Sequence, residues 1–274
     1  MQELLLRAVI YQKTTEEIEL MRASSQLVSR TLALMAEVIQ PGMTTLELDK
    51  LAEQFIRDHH GEPAFLGYRD FPNSLCISVN EEVVHGIPSN RIIQEGDLVS
   101  VDCGVKLNGW FGDSAYTFAV GEIGEEEKKL LEVTKESLRR AVAFCVVGNR
   151  IGDLSYTVQD YCEYKNGYGV VRDLVGHGIG KSLHEDPEVP NFGRRGTGTK
   201  LKEGMVIAVE PMINMGTRKV YTADDKWTVY SQDRKPSAHF EHTVAVGKSA
   251  PDILTTFSFI DAALEKRKMT TVNS

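Results

Sequence analysis

The sequence predicts a mixed α/β fold made of two pseudo-symmetric halves, about 14–120 and 121–250, within a single domain spanning 1–274. Three observations lead there. Two helical segments followed by a run of short strands occur twice along the chain. EGDLVSVD, ending at Asp102, lines up with EGMVIAVE, ending at Glu210, so each places an acid seven positions after the glutamate of a Glu-Gly turn. VVHGIP with His85 lines up with SLHEDP and His184, and IQPGMTTLELDKLAEQF echoes VVGNRIGDLSYTVQDYC. The histidine-to-Glu-Gly gap differs between the halves, so the second half carries an insertion.

The elements follow in order. Thr14-Thr15-Glu16-Glu17 reads as a capping box, and Ile18, Met21, Leu27, Leu32, Leu34 and Ile39 mark an amphipathic helix ending near Pro41-Gly42. Thr44 and Glu47 form a second capping box opening the helix LELDKLAEQFIRDHHG. Strands are expected at SLCISVN and around VVHGIP. VSVDCGVKLNGWFGDSAYTF (99–118) reads as a hairpin turning at Asn108-Gly109, because both central residues of a type I′ turn need positive φ. GEEEKKLLEVTKESLRRAVAFCV reads as a third helix, acidic first and basic later as the helix dipole favours. GDLSYTVQDYCEYKNGYG reads as a fourth, and strands return around MVIAVEPMI and HFEHTVAV. The polar, basic tail after about Ala250 receives no role.

Composition narrows the class. Hydrophobic content of 42% and charged content of 26% over 274 residues suit a globular protein with a substantial core. A net charge of −8 with no basic patch argues against a nucleic-acid partner. No apolar run is long enough to span a bilayer, and the N-terminus lacks a signal-peptide layout. The cysteines, Cys76, Cys103, Cys145 and Cys162, form no C-x-x-C pair, so a cytoplasmic protein with reduced thiols is expected.

The hairpin raises the chemical question. With Leu107 paired to Trp110, Asp102 falls opposite Ala115, and Asp113 lies diagonally from Asp102 on the same face, about 7–8 Å away between Cα atoms. Two such carboxylates can share a cation; two separate, solvated aspartates at strand ends fit the hairpin alone equally well. Glu210 ends an apolar strand, Glu241 sits inside the apolar run HFEHTVAV, and His177 lies between glycines in LVGHGIGKSLHEDP. Taken singly, these read as a solvated strand end, an edge-strand charge and a loop histidine. Taken together, four acids in β-type apolar surroundings need a cation, because burying them without one is prohibitive. Oxygen-rich ligands with one imidazole suit Mn, Fe, Co or Zn, and four carboxylates balance two divalent ions in a two-metal hydrolytic arrangement.

The ordered set Asp102, Asp113, His177, Glu210 and Glu241 resembles the dinuclear site of the methionine aminopeptidases. VHGIP, the D-x10-D spacing, GHGIGxxxHEDP, EPM and FEHT all match that family's motifs, and the resemblance runs from about Thr14 to Val246. It implies the pseudo-two-fold "pita-bread" α/β fold, an antiparallel sheet with helices on its outer face. It implies that those five residues hold the metals, and that Glu210 also acts as the base toward the attacking water. His85 and His184 would contact the substrate and stabilise the tetrahedral intermediate as donors. Tyr68, Phe71, Cys76, Leu183 and Trp227 would form the pocket for a methionine side chain, whose thioether suits aromatic walls. The spacing of 31 positions between Glu210 and Glu241 resembles the type I enzymes, and the absence of a cysteine-rich extension resembles their short bacterial form. Leu183, Phe65, Phe71 and Leu174 depart from residues common in the family, which bears on pocket shape. The substrates implied are N-terminal Met peptides and nascent chains with a small second residue, with a ribosome contact, no membrane and a monomeric state. A proline dipeptidase or X-Pro aminopeptidase of the same fold is the first alternative, disfavoured because those carry a large extra N-terminal domain. A non-catalytic binding protein is the second, disfavoured because all five ligands are present.

Overall fold

A computed structural model describes residues 10–272 of the chain. The first two helices, α1 (Thr15–Val38) and α2 (Thr45–Asp58), begin on the expected capping boxes. Thr14 Oγ1 accepts from the Glu17 amide at 3.2 Å while Glu17 Oε2 accepts from the Thr14 amide at 3.0 Å. Thr44 and Glu47 repeat the exchange at 3.2 and 2.7 Å. Each cap contributes about 1 kcal/mol.

Strands β1 (Leu75–Val79), β2 (Leu98–Leu107) and β3 (Trp110–Ala119) form an antiparallel sheet with β2 in the middle. The expected register holds: Leu107 pairs with Trp110 and Asp102 with Ala115, while Asp113 faces Gly104. Helices α1 and α2 cover one face of this sheet, burying Leu27, Leu32, Leu48 and Ile56 against Ile77, Val99 and Val101. Each such side chain contributes about 1.5–3 kcal/mol when withdrawn from water.

The second half opens with α3 (Glu125–Val142) and α4 (Ile151–Gln159). The expected fourth helix is shorter than its pattern: the α-helix stops at Gln159 and continues through Asp160–Lys165 as π-helix. Next come β4 (Gly176–Gly178), β5 (Glu185–Val189), β6 (Val206–Val209), β7 (Met212–Asn214), β8 (Ser237–His239) and β9 (His242–Ala245). In the larger sheet β6 lies between β4 and β9, as β2 lies between β1 and β3. The strand carrying the repeated Glu-Gly-to-acid segment is therefore central in each half. The segment after Ala250 closes into a helix, α5 (Ser258–Val272), which packs on α1 through the buried Ile260 and Ala263.

The strand expected to end at Glu210 does break there and resumes at Met212, whereas the run expected to continue through Glu241 is also broken. β6 and β7 are separated by Glu210-Pro211, and β8 and β9 by Phe240-Glu241. The ladder resumes on either side, with His242 opposite Val209 and Met212 opposite His239. Proline has no N–H to donate, so it favours such an interruption. Each acid thus stands at a gap in its ladder, where its side chain leaves the sheet.

Candidate active site

The gap in the second half is stitched to the hairpin of the first. The Glu241 amide donates to Ala115 O at 2.9 Å, and Ser114 Oγ donates to Glu241 O at 2.6 Å. Thr243 Oγ1 accepts from the Asp113 amide at 3.1 Å and donates to Asp113 O at 2.7 Å. Thr117 Oγ1 bonds His239 O at 2.8 Å. These contacts carry Glu241 onto Asp113 across 122 to 130 positions of the chain. Asn191 Nδ2 donates to Glu210 O at 3.0 Å, fixing the other gap.

Asp113, His177 and Glu241, all buried, each offer a ligand atom within 4.8 Å of the others. His177 Nε2 lies 3.6 Å from Glu210 Oε1 and 3.9 Å from Asp113 Oδ2. Asp102 lines the same cavity and interacts directly with Asp113. The five residues expected to converge are therefore together. Among the described residues, the ion-pairing partners of Asp113 and Glu210 are only His177 and His239, with no lysine or arginine.

The electrostatics describe a cluster that needs a cation. Burial drives every acid upward: Asp102 to about 7 and Glu210 to about 8. Asp113 and Glu241 are raised well above the ordinary range, by burial and then by the neighbouring acids. Burial pushes His177 down to about 3, so its imidazole is neutral. Its Nδ1–H donates to Gly178 O at 2.8 Å, which leaves Nε2 as a bare lone pair aimed at the acids. Buried oxygens on Asp102, Asp113 and Glu241 have no hydrogen-bond partner. Buried polar atoms seldom go unpartnered, and anionic oxygens with a neutral imidazole are the donor set of a hard-to-borderline divalent cation. The residues fit that group.

Above the acids lies a cavity of about 270 Å³. Its walls include Tyr68, Phe71, Cys76, Leu183 and Trp227, the residues expected there, and also Phe65 and Leu174. Phe65, Phe71, Cys76 and Leu183 belong to an apolar cluster separate from the main core, with Tyr68 and Trp227 packed on it. Phe65 reaches the wall because Gly104, opposite Asp113, has no side chain; a Cβ there would meet Phe65 Cε1 at 2.6 Å. His85 and His184 both line the rim. His85 has φ of +59°, a conformation that β-carbon sterics disfavour, and it meets Trp227 edge-on with centroids 6.1 Å apart. His184 stacks on Tyr68 at 5.1 Å and tilts against His177 at 4.2 Å.

His239, absent from the expected set, belongs to the site. It is buried, its Nε2 lies 3.6 Å from Glu210 Oε2, and that nitrogen has no hydrogen-bond partner. The signal for it lay in the sequence: His239 precedes Glu241 by two positions, the spacing that places alternate strand residues on one face. Arg69 and Asp173, the charged groups at the cavity mouth, were equally unmarked.

Comparison with known proteins agrees with this geometry. The model of metallopeptidase family M24 matches residues 19–248. A methionine aminopeptidase of Clostridium acetobutylicum is 54% identical over 244 residues, covering 89% of this chain and 97% of that protein. Methionine aminopeptidase 1 of Bacillus subtilis is 48% identical, covering 89% and 98% respectively. The crystal structure of methionine aminopeptidase from Rickettsia prowazekii superposes with a TM-score of 0.89 at 40% identity, over 90% of this chain and all of that one. An acid-and-imidazole cluster fit for divalent metal, on a fold shared with these relatives over about nine-tenths of the chain, identifies it as a member of metallopeptidase family M24, in its methionine aminopeptidase branch.

Proposed function

We propose that this protein removes the N-terminal methionine from peptides and nascent chains whose second residue is small, using two divalent ions held by Asp102, Asp113, His177, Glu210 and Glu241. The carrying observation is the convergence of four acids and a neutral, lone-pair-bearing imidazole, with unpartnered buried oxygens on three of the acids. A divalent ion bound there supplies Lewis acidity toward the scissile carbonyl and lowers the pKa of water.

The chain's own residues divide the remaining work. The Glu210 carboxylate accepts the proton of the attacking water and passes it toward the leaving amine. His85, lowered to about 4 chiefly by burial, is a neutral imidazole at physiological pH and has one N–H to donate. His85 and His184 donate to the substrate oxygen as it gains negative charge. Phe71, Trp227, Tyr68, Cys76 and Leu183 surround the methionine thioether and exclude water from the cleaved bond. Mn, Fe, Co and Zn all match the ligand set. The 31-residue interval between Glu210 and Glu241 supports the type I form. A single catalytic domain of two halves, acting as a monomer in the cytoplasm and meeting nascent chains at the ribosome, completes the proposal. The described residues contain no helix long and apolar enough to cross a membrane, and all four cysteines are free and buried, which is consistent with it.

The test is a peptide assay on protein reconstituted with Mn or Co. Free methionine should appear from Met-Ala-Ser, while Leu-Ala-Ser and X-Pro peptides stay intact. Cleavage of X-Pro peptides in preference would favour the proline-specific alternative, and silence after metal addition would favour a binding protein.

A further inference from the structure

His184 stands in the connection between β4 and β5, and that connection is held from outside. Gly180 N–H donates to Ser182 O at 3.1 Å, and Gly180 O accepts from the Phe111 amide at 2.9 Å. The rest of the turn is gathered by one carboxylate. Glu185 Oε1 accepts from the amides of Lys181 and Ser182 at 2.8 and 3.1 Å, and Glu185 Oε2 accepts from Lys13 Nζ at 2.7 Å. Lys13 arrives from the segment ahead of α1, 172 positions away, and its own amide donates to Gly204 O at 2.6 Å. The two charged side chains are only 4% and 8% exposed. Room for them depends on Gly180, where a Cβ would lie 2.5 Å from Lys13 Cε and 2.6 Å from Glu185 Oε1.

A lysine and a glutamate withdrawn from water this far give little net stability, because the desolvation cost consumes the Coulomb gain. What such a pair does supply is geometry: a carboxylate with three donors around it has a fixed orientation. We propose that the Lys13–Glu185 ion pair is the positioning device for His184. Lys13 orients the Glu185 carboxylate, the carboxylate locks the Lys181-Ser182 turn, and the locked turn presents the His184 ring between Tyr68 and His177. Lys13 touches no substrate and acts only through His184. The inference rests on the reading of His184 as an oxyanion donor.

The test is a double-mutant cycle on the metal-loaded enzyme with Met-Ala-Ser. Lys13→Met should lower kcat about 10- to 100-fold, the scale of a donor displaced by about 1 Å, with KM and metal content unchanged, and Lys13→Arg should restore most of it. Glu185→Gln, which keeps an acceptor for the turn amides, should reproduce the loss, and the Lys13→Met/Glu185→Gln double variant should be no worse than either single one. In the His184→Ala background Lys13→Met should cost less than about twofold. A full loss there overturns the proposal, as does normal kcat in Lys13→Met. Ring signals of His184 in the NMR spectrum of metal-free protein give a readout independent of turnover. One sharp environment in the parent and broadened or multiple environments in Lys13→Met are expected, and unchanged signals overturn the proposal even if Met-Ala-Ser proves not to be a substrate. Failure of the parent enzyme on Met-Ala-Ser with the expected ring signals would overturn the proposed function alone.

Discussion

The floor and the rim of the cavity are built by opposite means. The floor acids stand on or beside ladder strands: Asp102 on β2, Asp113 on β3, Glu210 and Glu241 at the facing gaps of the second half. Their positions are fixed by register and by bonds such as Ser114–Glu241 that join the two halves. The rim histidines stand on connections. His85 sits in a left-handed conformation beside Gly86, whose amide donates to Ser78 Oγ at 3.0 Å, and His184 hangs on the Glu185 carboxylate. A strand ladder resists small displacement, whereas a loop is as precise as its few anchors. Substitutions in the floor should therefore change metal binding and stability together, and substitutions in the rim should change turnover alone.

The largest effect should come from the floor and should change sign with metal. Asp113→Asn should lower Met-Ala-Ser turnover by about 10³-fold or more, because the ions that supply most of the catalysis lose a ligand. In metal-free protein the same substitution relieves repulsion among buried acids. Its melting temperature without metal should equal or exceed that of the parent, while with Mn it should be lower. Thermal melts under both conditions, with metal analysis, check this. A metal-free variant that melts well below the parent would show that Asp113 is a structural acid rather than a ligand.

The rim should answer differently. His85→Ala should lower kcat by about 10²–10³-fold, the usual cost of an oxyanion donor, with bound metal and melting temperature close to the parent. Loss of metal on this substitution would move His85 into the floor and dissolve the distinction.

A smaller effect separates floor from rim by pH. In metal-free protein Asp102 titrates near 7 and Glu210 near 8, both raised by burial. Unfolded carboxyls release their protons near 4, so between pH 6.5 and 8 the native state holds more protons than the unfolded one. Stability therefore falls as pH rises through that window. Unfolded imidazoles titrate near 6.5, whereas His177 and His85, with native values of about 3 and 4, are neutral in the fold. They therefore oppose this fall at the lower end of the window and no longer do so above about pH 7.5. The histidine contribution is common to metal-loaded and metal-free protein and cancels in their difference. Metal displaces the acids' protons and so binds more tightly as pH rises. The gap in melting temperature between metal-loaded and metal-free protein should widen from pH 6.5 to 8; a constant gap would mean the acids are already ionised without metal.

The floor was far more legible in the sequence than the rim. Asn108-Gly109 and a two-residue period fixed the hairpin register, hence the shared face of Asp102 and Asp113. Acids in apolar strands are conspicuous for their cost alone, and the capping boxes that start α1 and α2 are local signals. Long-range contacts carry no such trace. Ser114 and Glu241 bond across 127 positions, Lys13 and Glu185 across 172, and neither pair disturbs a local pattern. The break at Glu210 is legible as an acid before proline at a strand end, but the gap at Glu241 is not, because apolar residues flank it on both sides and periodicity reads straight through. His239 was overlooked beside a more obvious acid, and α5 was missed because only a few of its residues face α1.

The smallest effect concerns the pocket wall, where floor and rim meet. Trp227 packs edge-on against Phe71 with centroids 5.1 Å apart and against His85 at 6.1 Å, so it could serve the substrate side chain or steady the rim. A sulfur–aromatic contact contributes about 0.3–1.5 kcal/mol. If Trp227 acts as wall, Trp227→Leu should raise KM for Met-Ala-Ser about two- to tenfold, the same energy expressed as binding, and leave kcat within about twofold. If Trp227 instead holds His85 in its left-handed conformation, kcat should fall and KM stay, and the loss should vanish when His85 is already alanine. The first outcome keeps Trp227 with Phe71 and Leu183 as part of the methionine pocket. The second would show that the rim is anchored by a side chain of the wall, as His184 is by Lys13 and Glu185, and would extend the contrast between ladder-built and loop-built geometry to both histidines.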